Sequence, residues 1–358
     1  MAKKAAAPRS KKLRVALIGA GGIAGAHMRY YAKMEDVELV ALADVSVESM
    51  ARRAEEFKVP DCFTDYRKML EKIRPDAVSI CTPNGLHAPT TIAALAAGAH
   101  VLVEKPMAMN AREAQAMISA AKRHRRKLVI GFQHRFEPKT QFIKNAVEAG
   151  QLGKVVYARV QALRRRGIPN WGVFGRKDLQ GGGPLIDIGV HVLEATHYAM
   201  GTPKPVAASG GTFTYLGNQK SSVVSQWPNW DYKNYTVEDL AVGQIRFENG
   251  AVLHLEASFS AHIEKDVWTF QIMGEKGGAT WDPPSIYRDD FGHMVNVSPG
   301  WLPRDAAADC FAIKMRNFVD HVLHGKPTGA PAEHGLMVQK MLDGIYASAE
   351  KGKEIRLR

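Results

Sequence analysis

Residues 13 to 25 read LRVALIGAGGIAG: a β-branched apolar run, a glycine-rich turn, and the opening of a segment with helical spacing, IAGAHMRYYAKM. Gly19, Gly21 and Ala24 occupy the small-residue positions of G-x-G-x-x-G/A. Such a turn needs a first glycine for its tight backbone and a second so that a pyrophosphate can approach the main chain. The small third residue lets helix and strand pack closely. Gly22 and Ile23 complete the loop, with phosphate resting on the helix N-terminus. The next strand-like run, VELVALAD, ends on Asp44, placed to accept hydrogen bonds from ribose hydroxyls and to repel a 2′-phosphate. NAD is favoured over NADP. Two features keep NADP open: Asp44 could instead cap the next helix, a role Ser46 can also fill, and Arg52 and Arg53 could reach a phosphate.

The rhythm persists through a helix over Val47 to Phe57, a Cys62–Phe63 strand and a helix through Tyr66 to Lys72. Then come the strand of DAVSICTP, a helix through Ala88 to Ala97, the strand of HVLVEKP, a helix over Ala111 to Arg123, and KLVIGF. This alternation predicts a doubly wound parallel sheet with helices on both faces. After QLGKVVYARVQAL the chain turns to extended runs such as AVGQIRFENGAVLHLEASFSA and DVWTFQIMGEKGGATW, punctuated by ENGA and GEKGGA as tight turns. An antiparallel sheet follows. The expected division of this α/β chain is a disordered basic tail over 1–12, a Rossmann domain over 13–135, and an α/β substrate and oligomerisation domain over 136–358.

At 358 residues and 46% hydrophobic, the chain can bury two cores. No run approaches the roughly 18 apolar residues of a membrane span, and MAKKAAAPRSKKLR carries charge without an apolar stretch behind it, so neither membrane nor secretion is expected. The formal net charge of +12 draws heavily on Lys3, Lys4, Arg9, Lys11, Lys12 and Arg14, while RHRRK (123–127) closes a predicted helix, where cations suit the dipole. With no nucleic-acid module in view, these read as a solvated tail and helix ends. Cys62, Cys81 and Cys310 are odd in number and scattered, which gives no disulfide framework or zinc spacing and points to a reducing cytoplasm. Cys81, inside an apolar run, reads as a small core residue.

GGGPLIDIGVH (181–191) sets an acid and an imidazole four positions apart in an apolar segment. In a helix opened by GGGP, Asp187 and His191 project from one face, the glycines letting the loop pass close to substrate. His191 is suited to take a hydroxyl proton and Asp187 to orient the hydroxyl or the imidazole. Glu194 and His197 continue the helix, but the four do not share one face and H-E-x-x-H is absent, so no metal is expected. Upstream, RRRGIPNWGVFG offers Arg164 or Arg166 as hydroxyl-directed donors, neighbouring arginines facing opposite ways on an extended run. Trp171 either stacks on the apolar face of a ligand or anchors its loop. Trp227, Trp230, Tyr232 and 237–239 divide evenly between a substrate rim and an oligomer interface.

TPNGLH (82–87) follows one strand and EKP (104–106) the next. Together with GAGGIAG and GGGPLIDIGVH, in this order, they resemble the glucose-fructose oxidoreductase, inositol dehydrogenase and rhizopine-catabolism family, Gfo/Idh/MocA, from about Leu13 to Leu357. The resemblance implies a nicotinamide-dependent oxidoreductase acting on hydroxyls of sugars, inositols or related small molecules. Its second domain would carry a large, mostly antiparallel sheet, with C-terminal helices returning toward the cofactor domain and assembly into a homodimer or homotetramer. It implies Lys105, Asp187 and His191 as the catalytic trio; Thr82, Pro83, Asn84 and His87 beside the cofactor; Glu104 close to the nicotinamide ribose; and a cis Lys105–Pro106 bond. Arg135 would organise the junction on the substrate side, where Gln133 and His134 depart from the commoner asparagine-rich pattern. Loops at the C-terminal ends of parallel strands line the ligand crevice, which agrees with both motifs. The leading expectation is NAD-linked oxidation of a secondary hydroxyl of a cyclic sugar, glycoside or polyol. NADP-linked reduction of a keto-sugar, or a non-catalytic NAD sensor on the same fold, are the alternatives.

Overall fold

The structure, a computed structural model, describes residues 12–303 and 309–357; the basic tail expected over 1–12 lies, apart from Lys12, outside the described residues. The first half alternates β1 (Leu13–Ile18), α1 (Gly22–Tyr31), β2 (Val37–Ala43), α2 (Val47–Phe57), β3 (Asp61–Phe63), α3 (Tyr66–Ile73), β4 (Ala77–Ile80), α4 (His87–Ala96), β5 (His100–Val103), α5 (Ala111–His124) and β6 (Leu128–Ile130). Local chemistry sets the helix ends. Ser46 Oγ accepts the Ser49 N–H to start α2, and Lys58 ends it in the left-handed region. Asn110 caps α5, whose last turn holds Lys122, Arg123 and His124.

The strands form one parallel sheet in the order β3-β2-β1-β4-β5-β6. Its central strands are buried along nearly their whole length, as a sheet covered on both faces requires. The order reverses between β1 and β4, so the loops after these two strands diverge to opposite faces and open a crevice at their C-terminal ends. Gly19, Asp44 and Glu104 each follow a strand of this sheet directly, and Thr82 follows β4 after a single intervening residue.

The second half contains α6 (Pro138–Glu148), β7 (Val155–Leu163), α7 (Lys177–Gln180), a π-helical turn over Leu185–Gly189, α8 (Val190–Ala199), β8 (Pro205–Phe213), β9 (Leu240–Phe247), β10 (Val252–Ser258), β11 (Val267–Gly274), β12 (Gly277–Trp281), β13 (Pro284–Asp290), β14 (His293–Val297), α9 (Cys310–His324), α10 (Ala332–Lys351) and β15 (Ile355–Arg356). Nine strands pair in the order β14-β13-β12-β11-β7-β10-β9-β8-β15, antiparallel except for β7 with β10. ENGA closes the β9–β10 hairpin, with Gly250 at φ 88°, and GEKGGA the β11–β12 hairpin. One sheet face packs on helices: Ile345 of α10 lies so close to Gly210 and Gly243 that a Cβ at either would meet it. Among the described residues nothing covers the other face. Pairing register puts Phe213, Val242, Met273 and Tyr287 on it, exposed by 50, 37, 42 and 39%.

Two C-terminal helices tie the halves together. Val129 of β6 bridges Pro331 just before α10, and Lys314 of α9 reaches Glu104 at the end of β5. Among the described residues no helix is long and apolar enough to cross a membrane.

Candidate active site

At the β1–α1 turn Gly19 sits at φ 101°, and a Cβ there would run into the Cys81 carbonyl at the end of the adjacent β4 loop. Gly21 and Gly22 face open space: beyond their chain neighbours and own helix backbone, no described residue comes within 4 Å of where a Cβ would stand. Ile23 is half-buried and Ala24 fully buried against the sheet. The N-terminus of α1 has no side-chain cap and no acid in its first turn, so its free N–H groups and dipole suit an anion. Asp44 Oδ2 accepts the Ala20 N–H at 2.6 Å and Oδ1 the Ser46 N–H at 2.8 Å, while Ser46 caps α2. The carboxylate is thus fixed at the strand end beside the loop. Thr82 Oγ1 is buried with no partner among the described residues, Pro83 is exposed, and Asn84 Nδ2 donates to the Gln180 carbonyl at 2.9 Å. An uncapped helix end, an open glycine surface and an orphaned hydroxyl fit a dinucleotide.

Across the crevice, Lys105 Nζ donates to Asp187 Oδ1 at 3.0 Å and to the Asp187 carbonyl at 2.9 Å. Residues 82 positions apart, one from each half, meet here, both side chains largely buried. His191 stands next to them: Lys105 is close enough to help depress its pKa, which burial, first, and then Lys105 and the neighbouring His134 hold well below 6.5. The imidazole is neutral at physiological pH and able to receive a proton.

The helix expected to present Asp187 and His191 from one face takes a different form. Residues 185–189 make a π-helical turn, and α8 begins only at Val190. The wider turn changes the angle between Asp187 and His191, and its cause lies in the preceding loop. Buried Glu238 accepts the Gly183 N–H at 2.9 Å, the Leu185 N–H at 3.2 Å and the Tyr346 hydroxyl at 2.8 Å, which anchors the entry to the turn. The glycines expected to let substrate pass instead pack on protein: a Cβ at Gly182 would collide with the Tyr346 hydroxyl, and one at Gly183 with the Glu238 carbonyl.

The Lys105 end is equally tied down. His87 is fully buried, its Nδ1 2.7 Å from the Pro106 carbonyl and its Nε2 3.0 Å from that of Thr82, so it links TPNGLH to EKP through the cis Lys105–Pro106 segment. Burial lowers its pKa despite the two carbonyls. Glu104, expected at the nicotinamide ribose, directs its carboxylate inward: Oε1 lies 2.6 Å from Lys314 Nζ and 2.8 Å from His27 Nε2. Lys314 holds it charged and well below the usual carboxylate range, against the opposing effect of burial. Cys81 Sγ, 3.6 Å from His27 Nδ1, completes the cluster.

The candidate substrate residues separate by burial. Arg135, expected on the substrate side, is fully buried: Nε donates to Glu194 at 2.6 Å, its NH1 group donates to the Gly329 carbonyl at 3.1 Å, and the guanidinium lies between the Phe132 and Tyr198 rings. It locks the junction and leaves the open cleft to others. Arg164 turns inward, with its guanidinium 4.9 Å from the Trp227 ring and a pKa lowered by burial against the pull of Asp187 and Asp266. Arg166 donates to the Arg165 and Ala261 carbonyls. Trp171 is 49% exposed and meets Trp227 edge to face at 4.7 Å. Trp230, by contrast, is buried with Nε1 on the Gly217 carbonyl, and Asp239 accepts three backbone N–H groups of 215–217, so these are supports rather than rim. Glu194 and His197 are likewise committed, to Arg135 and to the Pro203 carbonyl. Among the described residues no three potential ligands converge on a metal position.

Sequence reasoning missed Lys314 and His27, and it gave Glu238, within 237–239, to a rim or an interface and not to this anchoring role. A signal existed for Lys314, which shares a helical stripe with buried Met315 and Phe318 in FAIKMRNF. Glu238 carried none, because its partners lie more than 50 residues away.

Two family patterns match the chain: an oxidoreductase family with an NAD-binding Rossmann fold over residues 13–132, and the C-terminal alpha/beta domain of that family over 144–357. D-glucoside 3-dehydrogenase of Escherichia coli (strain K12) is 40% identical over 352 residues, covering 97% of this chain and 98% of its own. Levoglucosan dehydrogenase of Pseudarthrobacter phenanthrenivorans is 30% identical over 295 residues, covering 76% and 74%. The solved structure of levoglucosan dehydrogenase in complex with NADH and levoglucosan has a TM-score of 0.83 at 26% identity, covering 97% of this chain and 100% of its own.

The buried triad makes a measurable demand. Lys314→Met leaves the Glu104 charge without its closest cation and should cost about 3–5 kcal/mol in chemical denaturation, with part regained in Lys314→Met/Glu104→Gln. A loss below about 1 kcal/mol would show that the pair is not held as a buried ion pair.

Proposed function

Because the chain belongs to the Gfo/Idh/MocA oxidoreductase family, we propose that it oxidises a secondary hydroxyl of a cyclic sugar, glycoside or polyol with NAD as hydride acceptor. The observation that carries this reading is the meeting of Lys105 and Asp187 across the crevice, with neutral His191 beside them. An ammonium has three donors, and Lys105 directs two at Asp187. The third can meet the reacting oxygen and stabilise negative charge that grows as its proton leaves. His191 takes that proton. Asp187 Oδ2, which no described residue hydrogen-bonds, can accept from a neighbouring hydroxyl, an arrangement suited to the vicinal diols of a ring sugar.

When bound, NAD accepts the hydride from the carbinol carbon. Gly19, Gly21, Gly22, Ile23 and Asp44 would hold its adenosine and pyrophosphate portions, and Thr82, Pro83 and Asn84 the approach to the nicotinamide. Arg164 and half-exposed Trp171 would meet the sugar's outer face. The E. coli relative's name favours a glucoside within this class. The interval between the two family matches, 132 to 144, supports a domain boundary at Arg135. Exposed, free Cys62 supports a reducing, cytoplasmic compartment.

The apolar side chains on the uncovered sheet face support a homodimer or homotetramer formed there. Light scattering should give two or four chain masses, and Val242→Lys should shift that mass toward one; a monomeric parent protein would contradict the reading. For the activity itself, purified protein with NAD and a panel of glycosides, free sugars and inositols should reduce the cofactor with at least one. Lys105→Ala and His191→Ala should each lower kcat by about a hundredfold or more while retaining NAD binding. Unchanged rates in both variants would refute the mechanism, and tight NAD binding without turnover on any substrate would favour a sensor.

A further inference from the structure

His191 presents its Nδ1 to a single hydrogen-bonding group, the side-chain amide of Gln133, whose Nε2 lies 3.4 Å away. No described residue hydrogen-bonds the other ring nitrogen. Gln133 is 8% exposed, on the short 3-10 turn Gln133–Phe136 after β6, and its buried Oε1 has no partner among the described residues. The two ends of a carboxamide match in shape, so turning it over sets that orphaned oxygen against Nδ1.

The two orientations have opposite chemical consequences. A neutral imidazole carries one proton. With the amide nitrogen toward the ring, Nδ1 must be the acceptor, the proton sits on Nε2, and no lone pair remains for a substrate proton. With the amide oxygen toward it, the proton sits on Nδ1 and Nε2 is free. We propose that Gln133 is a positioning residue for the oxidation described above: its amide oxygen accepts from Nδ1–H of His191 and thereby holds Nε2 as the proton acceptor.

The surroundings make this control necessary. His134 meets the His191 ring edge-on at 5.0 Å and is itself tied to Glu137, while Trp268 lies tilted against it at 6.1 Å. Lys105 and Lys314 face it as cations, Glu104 as an anion, and Asp187 lies on the preceding turn. Since these groups and burial keep the ring neutral, the choice between its two neutral tautomers decides whether it can act. In the step itself the substrate O–H proton passes to Nε2 and the C–H bond breaks with its electron pair leaving as hydride. The O–H electron pair becomes the second bond of the carbonyl. The ring then carries two N–H groups, with Gln133 still accepting from Nδ1–H, and releases the extra proton to solvent.

The claim rests on the proposed oxidation for its purpose, but the tautomer can be read without any substrate. Nitrogen-15 histidine spectra of the full chain, with His191→Ala to identify the resonance, should show His191 protonated on Nδ1, and Gln133→Met should shift it toward the Nε2–H form. Gln133→Met should lower kcat about tenfold to a hundredfold with KM within about twofold. Gln133→Glu keeps the acceptor but adds charge, so it should retain more activity than Gln133→Met at high pH. By favouring the imidazolium it should also move the acid limb of kcat/KM upward by about one pH unit. An Nε2–H tautomer in the parent protein, or a Gln133→Met variant with unchanged kcat and pH profile, would overturn the proposal. Absence of turnover on every substrate would refute the oxidation while leaving the tautomer measurement to stand or fall alone.

Discussion

The contact between Lys105 and Asp187 is where the two halves of the molecule become one site. Neither side chain is placed by its own segment alone. Lys105 sits in a loop clamped by His87 on one side and by the Glu104–Lys314–His27 cluster on the other, so its cation starts from a fixed base. Asp187 sits on a π-helical turn whose entry is held by Glu238 and Tyr346. Because each clamp uses residues from distant parts of the chain, the pair reports the correct docking of both domains. Lys314 is the clearest case: a helix near the C-terminus supplies the charge that keeps the acid of EKP ionised.

The electrostatic pattern around this contact separates groups that stay charged from one that must not. Glu104 and Arg135 are buried ions with close partners, a lysine and a carboxylate respectively, and they act as fixed supports. His191 is half-buried, and desolvation together with the cations near it opposes protonation. A neutral base beside a held ammonium is a suitable combination for removing a hydroxyl proton as negative charge develops on oxygen. Separating these roles requires burial without symmetry.

Much of the cofactor half was legible because its determinants are local. The α2 boundaries at Val47 and Phe57 follow from the Ser46 cap and the turn at Lys58, and the parallel order follows from uninterrupted strand–helix alternation. The order of motifs also named the residues that meet, since TPNGLH, EKP and the acid–imidazole pair all fall at strand ends or at the domain junction. What the sequence could not carry was tertiary. The π turn depends on Glu238, and the roles of the glycines depend on what stands opposite them, here Tyr346 and a carbonyl rather than a ligand. Arg135 and Arg164 are chemically alike in sequence; burial between two rings assigns one to the junction, while the other turns toward Trp227 and stays half-buried.

The most direct test follows the hydrogen itself. The protein would be incubated with NAD and a methyl glucoside deuterated at every ring carbon, and the reduced cofactor examined by mass spectrometry. If Lys105, Asp187 and His191 form a site that moves hydride from a sugar carbon to the nicotinamide, the reduced cofactor carries one deuterium, and Lys105→Ala or His191→Ala slows its appearance. Reduced cofactor without deuterium, or labelling at an unchanged rate in both variants, would contradict the account.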